Sequence, residues 1–368
     1  MPIAAQAPAH IRAISPYQPG KPIEELAREL GLDPAGIIKL ASNENPLGMS
    51  PAARAAAATA LDEVPRYPDG NGYTLKQALV RRYGVKLEQI VLGNGSNDVL
   101  ELVARAFLAP GRSAVYAQHA FAVYPLATQA MGAQGIEVPA RDYGHDLSAM
   151  RAAIRDDTRV VWLANPNNPT GTFHGGAAIE AFLDSLPPDL VVVLDEAYTE
   201  YLSAEQRYDS IAWLQRYPNL LVCRTFSKAY GLAGLRVGFG LGGAELIDLL
   251  NRVRQPFNVS GVALAAAAAA LEDRDFVERS FAANRAGMAQ LEAGFAKLGL
   301  RWIPSAGNFI AVEVGDAAAI NRRLLAAGVI VRPVTGYGMP RHLRVSIGLP
   351  EENARLLDSL SAALGAAA

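Results

Sequence analysis

Lys228 provides an amine that could act as a nucleophile, and the residues around it are suited to binding an anion. It lies in the stretch TFSKAYGLAGLR, which follows an apolar run ending at Cys223. An isolated lysine is usually a solvated surface residue. A desolvated lysine beside another cation, however, loses its proton more readily and acts as a nucleophile. The same stretch offers hydroxyls, glycines that allow close backbone approach and a guanidinium suited to phosphate, at Thr225, Ser227, Gly231, Gly234 and Arg236.

A second candidate is the turn GNGSND, residues 93–98, between a short apolar strand and a helix. Its glycines let the backbone approach a ligand, and the helix start presents free N–H groups and a partial positive charge. By itself the turn is equally well read as an ordinary strand-to-helix connection. A dinucleotide site would require a third glycine where Asp98 stands. The turn therefore predicts an anion site and argues against a nicotinamide-dependent dehydrogenase.

Asp195 and Tyr198 form a third group, directly after the apolar run Val191–Leu194. Ligands of α/β proteins bind at the carboxyl ends of buried strands. An aspartate in that place is either a helix cap or a carboxylate that keeps a ring nitrogen protonated. In the second case Tyr198, three residues further on, would reach the same ligand.

Arg344 lies in the predicted strand HLRVSI, residues 342–347, on the face opposite the apolar side chains. From this alternation alone, an arginine that faces solvent and one that binds an anion are equally good interpretations. The five histidines show no metal-ligand spacing, so no metal site is predicted. Cys223 ends an apolar run and is expected to be a buried strand residue.

The elements that must position these residues alternate between about residues 41 and 270. Strands are predicted at 90–92, 114–116, 160–163, 191–194 and 220–223, and helices at 51–61, 73–83 and 98–108. The strand segments are apolar throughout rather than alternating, so they should be buried on both faces, as in a mainly parallel sheet covered by helices. The fold class is therefore α/β, and residues 41–270 form the predicted large domain.

The pattern changes after residue 270. A long helix is predicted at 273–298, strands at 309–314 and 342–347, and a helix at 317–327 that ends before Gly328. These elements predict a smaller α+β domain, residues 271–368. The proline-rich residues 1–40 are expected to form an arm with one helix, 23–30, and to join the small domain.

Composition restricts the partners and the compartment. A net charge of −2 with no basic stripe argues against nucleic acid or an acidic membrane as partner. The longest apolar run, residues 261–271, is shorter than the ~20 residues needed to span a bilayer. The first residues lack the features of a signal peptide, and a single cysteine forms no intramolecular disulfide. The expected location is the cytoplasm.

Five strings resemble the fold-type I, class II family of pyridoxal-phosphate-dependent aminotransferases, in order and in spacing. They are ASNENPLG (41–48), RYPDGNG (66–72), NPNNPTG (165–171), DEAY (195–198) and SKAYGLAGLR (227–236). NPNNPTG alone would be interpreted as a turn, but five strings in register are specific and extend over nearly the whole chain. The resemblance implies a mainly parallel sheet sandwiched by helices, a smaller α+β domain, and pyridoxal 5′-phosphate as cofactor.

The resemblance implies a role for each matching residue. Lys228 would hold the cofactor as a Schiff base and move a proton between substrate and cofactor. Asp195 would pair with the ring nitrogen and preserve the ring as an electron sink. Tyr198 and Asn168 would hydrogen-bond the ring oxygen, and Phe121 would stack on the ring. The cofactor phosphate would be bound by Gly95, Ser96, Asn97, Thr225, Ser227 and Arg236.

The resemblance extends to substrate and assembly. Arg344 would clamp an anionic group of the substrate, with Tyr17 and Asn43 nearby. Tyr67 would reach the cofactor phosphate of a neighbouring subunit, so a homodimer is the expected active unit.

The strings are most similar to those of family members that act on histidinol phosphate. This implies transamination between histidinol phosphate and 2-oxoglutarate, in histidine biosynthesis. An aromatic-amino-acid aminotransferase and a threonine-phosphate decarboxylase remain open, because both use the same scaffold. A non-catalytic regulator that borrows the fold would carry an added DNA-binding segment, and the residues ahead of the first string are too few and insufficiently basic for one.

Overall fold

The structure, a computed structural model, describes residues 2–365. Several of the helices within this range begin after a Ser or Asp side chain that caps the first turn. Ser50 and Asp273, for example, accept hydrogen bonds from backbone N–H groups of the first turns that follow them. The helices are α1 Ala9–Arg12, α2 Ile23–Leu30, α3 Pro51–Ala60, α4 Tyr73–Tyr83, α5 Ser96–Phe107, α6 Val123–Ala130, α7 Leu147–Ala152, α8 Gly176–Asp184, α9 Ala244–Val253, α10 Gly261–Glu272, α11 Arg274–Lys297, α12 Ala317–Ala326 and α13 Pro350–Gly365.

Seven strands form one large sheet in the order β2-β8-β7-β6-β5-β3-β4. A four-stranded sheet has the order β12-β13-β10-β9, and β1 pairs with β11. The strands are β1 Ile38–Lys39, β2 Ile90–Gly93, β3 Ser113–Ala117, β4 Gln134–Val138, β5 Thr158–Ala164, β6 Val191–Asp195, β7 Leu220–Thr225, β8 Gly238–Gly242, β9 Arg301–Ile303, β10 Phe309–Glu313, β11 Val329–Ile330, β12 Arg332–Pro333 and β13 His342–Ser346.

The central strands of the large sheet are buried on both faces. Along β6, Val192 and Leu194 pack into one hydrophobic cluster, whereas Val191 and Val193 pack into another. β5, β6 and β7 pair in parallel. Continuous apolar runs thus form the predicted doubly covered sheet, and the α/β fold class is confirmed. Cys223 is fully buried in β7, as expected.

β8 runs antiparallel to both of its neighbours, β2 and β7, and the sequence did not predict it. Its residues read GFGLG, and glycine is depleted in strands. A Cβ at Gly238 would overlap the backbone nitrogen of Ser96, so α5 packs directly on this bare strand. β8 also closes the loop that carries Lys228, residues 226–237, because its first residue pairs with Thr225 at the end of β7.

Each predicted helix is present, and its bounds agree with the structure to within two residues. α2 and α4 have the predicted bounds, and Gly31 and Gly84 follow them with positive φ. α5 begins at Ser96, two residues before the predicted start. Seven helices were not predicted, namely α1, α6, α7, α8, α9, α10 and α13, and besides β8 five short or edge strands were not, namely β1, β4, β9, β11 and β12.

The four-stranded sheet packs against α11, α12 and α13 around its own cluster of buried residues. β1 pairs in parallel with β11, so the N-terminal segment contacts this part of the molecule. The domain division at residues 40 and 270 stays a prediction. No helix among residues 2–365 is long and apolar enough to cross a membrane.

Candidate active site

The candidate segments converge where β5, β6 and β7 end, beside the start of α5. Strands that run in parallel end at one edge of their sheet, which brings distant strings together. The side chains line a cavity of about 110 Å³. The lining includes most of the residues predicted to bind the cofactor, namely Ser96, Asn97, Phe121, Asn168, Asp195, Tyr198, Thr225, Ser227, Lys228 and Arg236.

Lys228 follows β7 and extends into this cavity. Its Nζ donates to the carbonyl oxygen of Ser42 at 3.1 Å, and it lies 5.8 Å from the centre of the Tyr198 ring. Burial lowers the pKa of Lys228 to about 7, and the positive charges of Arg344 and Arg236 act in the same direction. A large fraction of this side chain is therefore the free amine near neutral pH, which is the nucleophilic form.

The two glycines after Lys228 have different surroundings. Gly231 has a φ of +70°, and a Cβ there would overlap the carbonyl oxygen of Gly48. The ASNENPLG string therefore lies directly against the lysine loop. A Cβ at Gly234 would meet no protein atom within 4 Å, so close approach of a ligand there stays a prediction.

Asp195 ends β6 and is 5% exposed. Its Oδ2 accepts a hydrogen bond from the Tyr124 hydroxyl at 2.9 Å, and its Oδ1 accepts one from the backbone N–H of Ala197 at 3.3 Å. Burial raises the pKa of Asp195 to about 6, although both hydrogen bonds act in the opposite direction. The helix-cap alternative is wrong, since only a short 3₁₀ turn, Thr199–Tyr201, follows, with Tyr198 at its cap position.

Arg236 and the first turn of α5 form a corner of the cavity that is rich in hydrogen-bond donors. Arg236 Nη1 donates to Ser227 Oγ at 3.2 Å, and a Cβ on Gly95 would overlap the Arg236 guanidinium. The first turn of α5 has backbone N–H groups without intrahelical acceptors. Among residues 2–365, Asp195 is the only acidic residue that lines the cavity. This donor set suits a phosphate.

Two hydrogen-bonded pairs, Asn43 with Tyr198 and Arg344 with Asn168, lie at the opposite side. The Tyr198 hydroxyl accepts from Asn43 Nδ2 at 3.0 Å, which leaves its own proton free to donate. Arg344 Nη1 donates to Asn168 Oδ1 at 2.6 Å, so the Asn168 amide N–H groups are the ones available to a ligand. Ser346 Oγ accepts from the Asn43 backbone N–H at 2.7 Å and fixes that residue.

Arg344 is 6% exposed, so the solvent-facing interpretation is wrong. Its Nη2 donates to the carbonyl oxygen of Ala41, and its buried Nε has no hydrogen-bond partner among residues 2–365. Arg332 lies opposite Arg344 on the paired strand β12. The Arg332 guanidinium stands 5.5 Å from the ring centre of Tyr17, and both residues line a cavity of about 440 Å³.

Tyr67 is not brought into the cavity of its own chain. It is 83% exposed and stacks on Phe257 with ring centres 4.7 Å apart. Other exposed apolar side chains lie close in sequence to Tyr67, at Leu61, Val64 and Tyr73.

The sequence interpretation missed Tyr124, which lines the cavity that holds Lys228, and Arg332, which lines the 440 Å³ cavity together with Tyr17. Tyr124 lies three residues after Phe121, and the short separation in sequence was the signal that could have placed the two side chains together. Arg332 lies in VIVRPV, where it is the only charged residue of an apolar run. A single charged residue inside an apolar run was the sequence signal that could have marked Arg332 as a functional residue.

Known proteins that are similar to this chain are aminotransferases. The family model described as aminotransferase class I and II matches residues 35–360. The chain is 66% identical over 364 residues to histidinol-phosphate aminotransferase 1 of Thiobacillus denitrificans, covering 99% of this chain and 95% of that one. It is 60% identical to histidinol-phosphate aminotransferase 1 of Dechloromonas aromatica, covering 99% and 100%. The solved histidinol-phosphate aminotransferase of Sinorhizobium meliloti, in complex with pyridoxal-5′-phosphate, superposes with a TM-score of 0.91 at 30% identity over 99% of each chain.

Proposed function

We propose a reaction on the premise that this chain belongs to the class I and II aminotransferases. The reaction is transfer of the amino group of histidinol phosphate to 2-oxoglutarate, which gives imidazole-acetol phosphate and glutamate, in histidine biosynthesis. The observation that carries it is the 66% identity to the Thiobacillus denitrificans relative across 99% of this chain. We place the enzyme in the cytoplasm, in keeping with a single cysteine that is buried and free.

The cofactor is pyridoxal 5′-phosphate, and the residues of the cavity fit it. The fit is supported by the corner at Gly95 and Gly238, where any Cβ would overlap the neighbouring backbone or guanidinium. We assign the phosphate to this corner, with Gly95, Ser96, Asn97, Thr225, Ser227 and Arg236 as its ligands. When bound, the cofactor supplies an electron-accepting ring that stabilises negative charge at the substrate Cα and receives the amino group.

The roles of the other side chains follow from their positions. Lys228 presents a free amine that holds the cofactor and then moves a proton at Nζ. Asp195 presents a carboxylate, and we assign it to the ring nitrogen. Tyr198 and Asn168 offer an O–H and an amide N–H, and we assign both to the ring oxygen. Phe121 provides the face on which the ring stacks.

We assign the anionic group of the substrate to Arg344, with Tyr17 and Asn43 beside the substrate. The support is a buried guanidinium whose Nε has no partner within residues 2–365, at the edge of the cavity that holds Lys228. We add Arg332 as a second cation for the doubly charged phosphate of histidinol phosphate, because it faces Arg344 across paired strands. Two guanidiniums suit both substrates, since 2-oxoglutarate also carries two negative charges.

We propose a homodimer as the active unit, with Tyr67 reaching the cofactor phosphate of the partner subunit. Tyr67 is too exposed to serve its own cavity, and its ring is held by Phe257 rather than left free. A row of exposed apolar side chains around an aromatic pair is typical of a surface that binds another protein.

The test of the proposed reaction is a comparison of amino donors. Steady-state rates are measured with histidinol phosphate, phenylalanine and tyrosine, each with 2-oxoglutarate. We expect kcat/KM for histidinol phosphate to exceed that for either amino acid by at least about tenfold, which is about 1.4 kcal/mol of transition-state binding. A preference for the aromatic amino acids, or release of carbon dioxide from phosphothreonine, would replace the proposed substrate by the corresponding alternative.

A further inference from the structure

Tyr124 lies behind the cofactor cavity and contacts two of the groups assigned to the cofactor ring. Its hydroxyl donates to Asp195 Oδ2 at 2.9 Å. Its ring meets the Phe121 ring edge-on, with centres 5.8 Å apart and planes at 86°. Asp195 is assigned to the ring nitrogen and Phe121 to the ring face. Tyr124 therefore contacts both the residue assigned to the nitrogen of the cofactor ring and the residue assigned to its face.

Tyr124 is held in place by Trp162, on the side away from the cavity. The side chain is fully buried and stacks on Trp162 of β5, with ring centres 5.4 Å apart and planes 1° from parallel. Trp162 Nε1 donates to Thr128 Oγ1 at 3.2 Å, and Thr128 follows Tyr124 by one turn of α6. The tryptophan thus holds the helix at two points, so the hydroxyl of Tyr124 has little freedom to leave Asp195.

We propose that Tyr124 is a positioning residue for the cofactor ring, because it fixes the charged form of Asp195 and the plane of Phe121 together. The proposal rests on the proposed function, since it concerns groups assigned to pyridoxal 5′-phosphate. An O–H that donates to a carboxylate stabilises the charged state and directs the remaining lone pairs of that carboxylate elsewhere. Oδ1 then stays available to a protonated ring nitrogen.

The pKa shifts of Tyr124 and Asp195 support donation from the tyrosine hydroxyl to the carboxylate. Burial, together with the charge of Asp195, raises the pKa of Tyr124 well above its ordinary value, so its hydroxyl keeps its proton. The same hydrogen bond lowers the pKa of Asp195 against the effect of burial. Loss of the hydroxyl would make the carboxylate more basic. The proton shared with the ring nitrogen would then move towards Asp195, and the ring would withdraw electrons less strongly.

The experiment uses the holoenzyme and the variant Tyr124→Phe, which keeps the ring contacts and removes only the hydroxyl. The ionisation of the bound chromophore is followed by absorbance against pH. We expect its midpoint to rise by at least about 0.5 pH unit, because a hydrogen bond to a charged group is worth about one pKa unit or more. We also expect kcat to fall about tenfold, with KM changed less than about twofold.

Tyr116→Phe is the matched control, because Tyr116 is a buried tyrosine of the same sheet whose hydroxyl has no hydrogen-bond partner among the described residues. Its chromophore should titrate like the native one. In the double variant with Asp195→Asn, Tyr124→Phe should add no further shift, since the hydroxyl acts through Asp195. A Tyr124→Phe midpoint equal to the native value would show a merely structural role and overturn the proposal.

A second measurement applies if Tyr124→Phe does not fold. The hydroxyl proton of Tyr124 is observed by NMR through its contact with the Trp162 indole, in the native holoenzyme and in Asp195→Asn. We expect a downfield resonance that moves upfield in the variant; an unchanged resonance would contradict the bond to Asp195. If the native protein forms no chromophore with added cofactor, the proposed function itself fails. A native chromophore whose midpoint does not respond to Tyr124 refutes only this inference.

Discussion

At the scale of single residues, burial shifts the pKa values of two groups in the cavity towards each other. The pKa of Lys228 falls to about 7 and that of Asp195 rises to about 6. Both shifts have burial as their largest cause, because a low-dielectric site disfavours the charged form of either group. Groups that titrate near neutral pH at one site are typical of proton-transfer catalysts. The sequence did not predict that the two pKa values lie so close together, because the shifts depend on how deeply each side chain is buried.

Lys228→Ala should remove the covalent attachment of the cofactor. We expect no absorbance band near the visible edge after incubation with pyridoxal 5′-phosphate and washing, and a fall in turnover of at least about 1,000-fold. Borohydride reduction followed by peptide mass analysis should find the cofactor on the native peptide alone. Lys76→Ala is the control, since Lys76 is also partly buried in the large sheet region but lies on α4. A band that survives in Lys228→Ala would disprove the central assignment.

Glu200 is a buried carboxyl group that the proposed reaction does not use. Its Oε2 has no hydrogen-bond partner among residues 2–365, and burial raises its pKa to about 7, although the charges of Arg224 and Arg82 act in the opposite direction. The folded state therefore holds this proton more tightly than the unfolded state. The stabilising contribution of the neutral acid is complete below about pH 4.5 and is lost as the pH rises through about 7.

Glu200→Gln should remove this pH dependence. We expect the variant to be more stable than the native protein at pH 8 by about 1–3 kcal/mol, and to differ least near pH 4.5. The measurement is the free energy of unfolding in denaturant across this range. Glu278→Gln is the control, because Glu278 is exposed and lines the same surface cavity as Glu200. A native-like slope in Glu200→Gln would mean that another group titrates there.

At the scale of elements, prediction was best where one local pattern decided the structure. α4 was predicted to the residue, because Gly84 provides the left-handed C-cap. β6 and β7 were predicted because both faces are apolar. β8 was missed because its glycines are required by the packing of α5, a contact between segments far apart in the chain. β4 was missed because it lies at the edge of the sheet and is largely exposed.

Gly231→Ala and Gly234→Ala should behave differently although they lie in one loop. At Gly231 the φ is positive and a Cβ would overlap a backbone oxygen of Gly48, so we expect a loss of stability of at least about 2 kcal/mol and weaker retention of the cofactor. At Gly234 the space is open, and we expect a change within about 0.5 kcal/mol. Thermal unfolding of both variants, with and without cofactor, tests this. Equal effects would refute the steric explanation.

At the scale of the whole molecule, the site is assembled from the large sheet, the small sheet and the N-terminal segment. Arg344, on the small sheet, contacts both Asn168, which follows β5 of the large sheet, and Ala41, which follows β1. The strings in the large part could be placed together from the sequence, because parallel strands end at one edge. The sequence could not predict that Arg332, Arg344 and Tyr17 lie close together, because their proximity depends on how separate parts of the molecule pack. The family resemblance supplied the roles of Arg344 and Tyr17 without that geometry.

The exposed apolar patch around Tyr67 provides the test of assembly. Val64→Asp places a charge in this patch, where Val64 is 62% exposed. We expect the sedimentation mass at micromolar concentration to fall from that of a dimer to that of a monomer, with weaker cofactor binding, because a buried unpaired charge costs several kcal/mol. Leu30→Asp, at an exposed leucine on α2, should leave the dimer intact. A Val64→Asp dimer with native cofactor affinity would contradict the proposed interface.

The antiparallel strand β8 affects the conformational entropy of the loop that carries Lys228, residues 226–237. Because Thr225 and Gly238 are paired neighbours, the loop between them is closed at its base by the sheet. Inside it, the backbone N–H of Phe226 donates to the carbonyl oxygen of Val237, and that of Leu232 donates to the carbonyl oxygen of Phe226. The chain therefore loses its loop-closure entropy during folding and not when a ligand arrives. Slow amide hydrogen exchange in this loop is expected to be a property of the empty protein as well as of the loaded one.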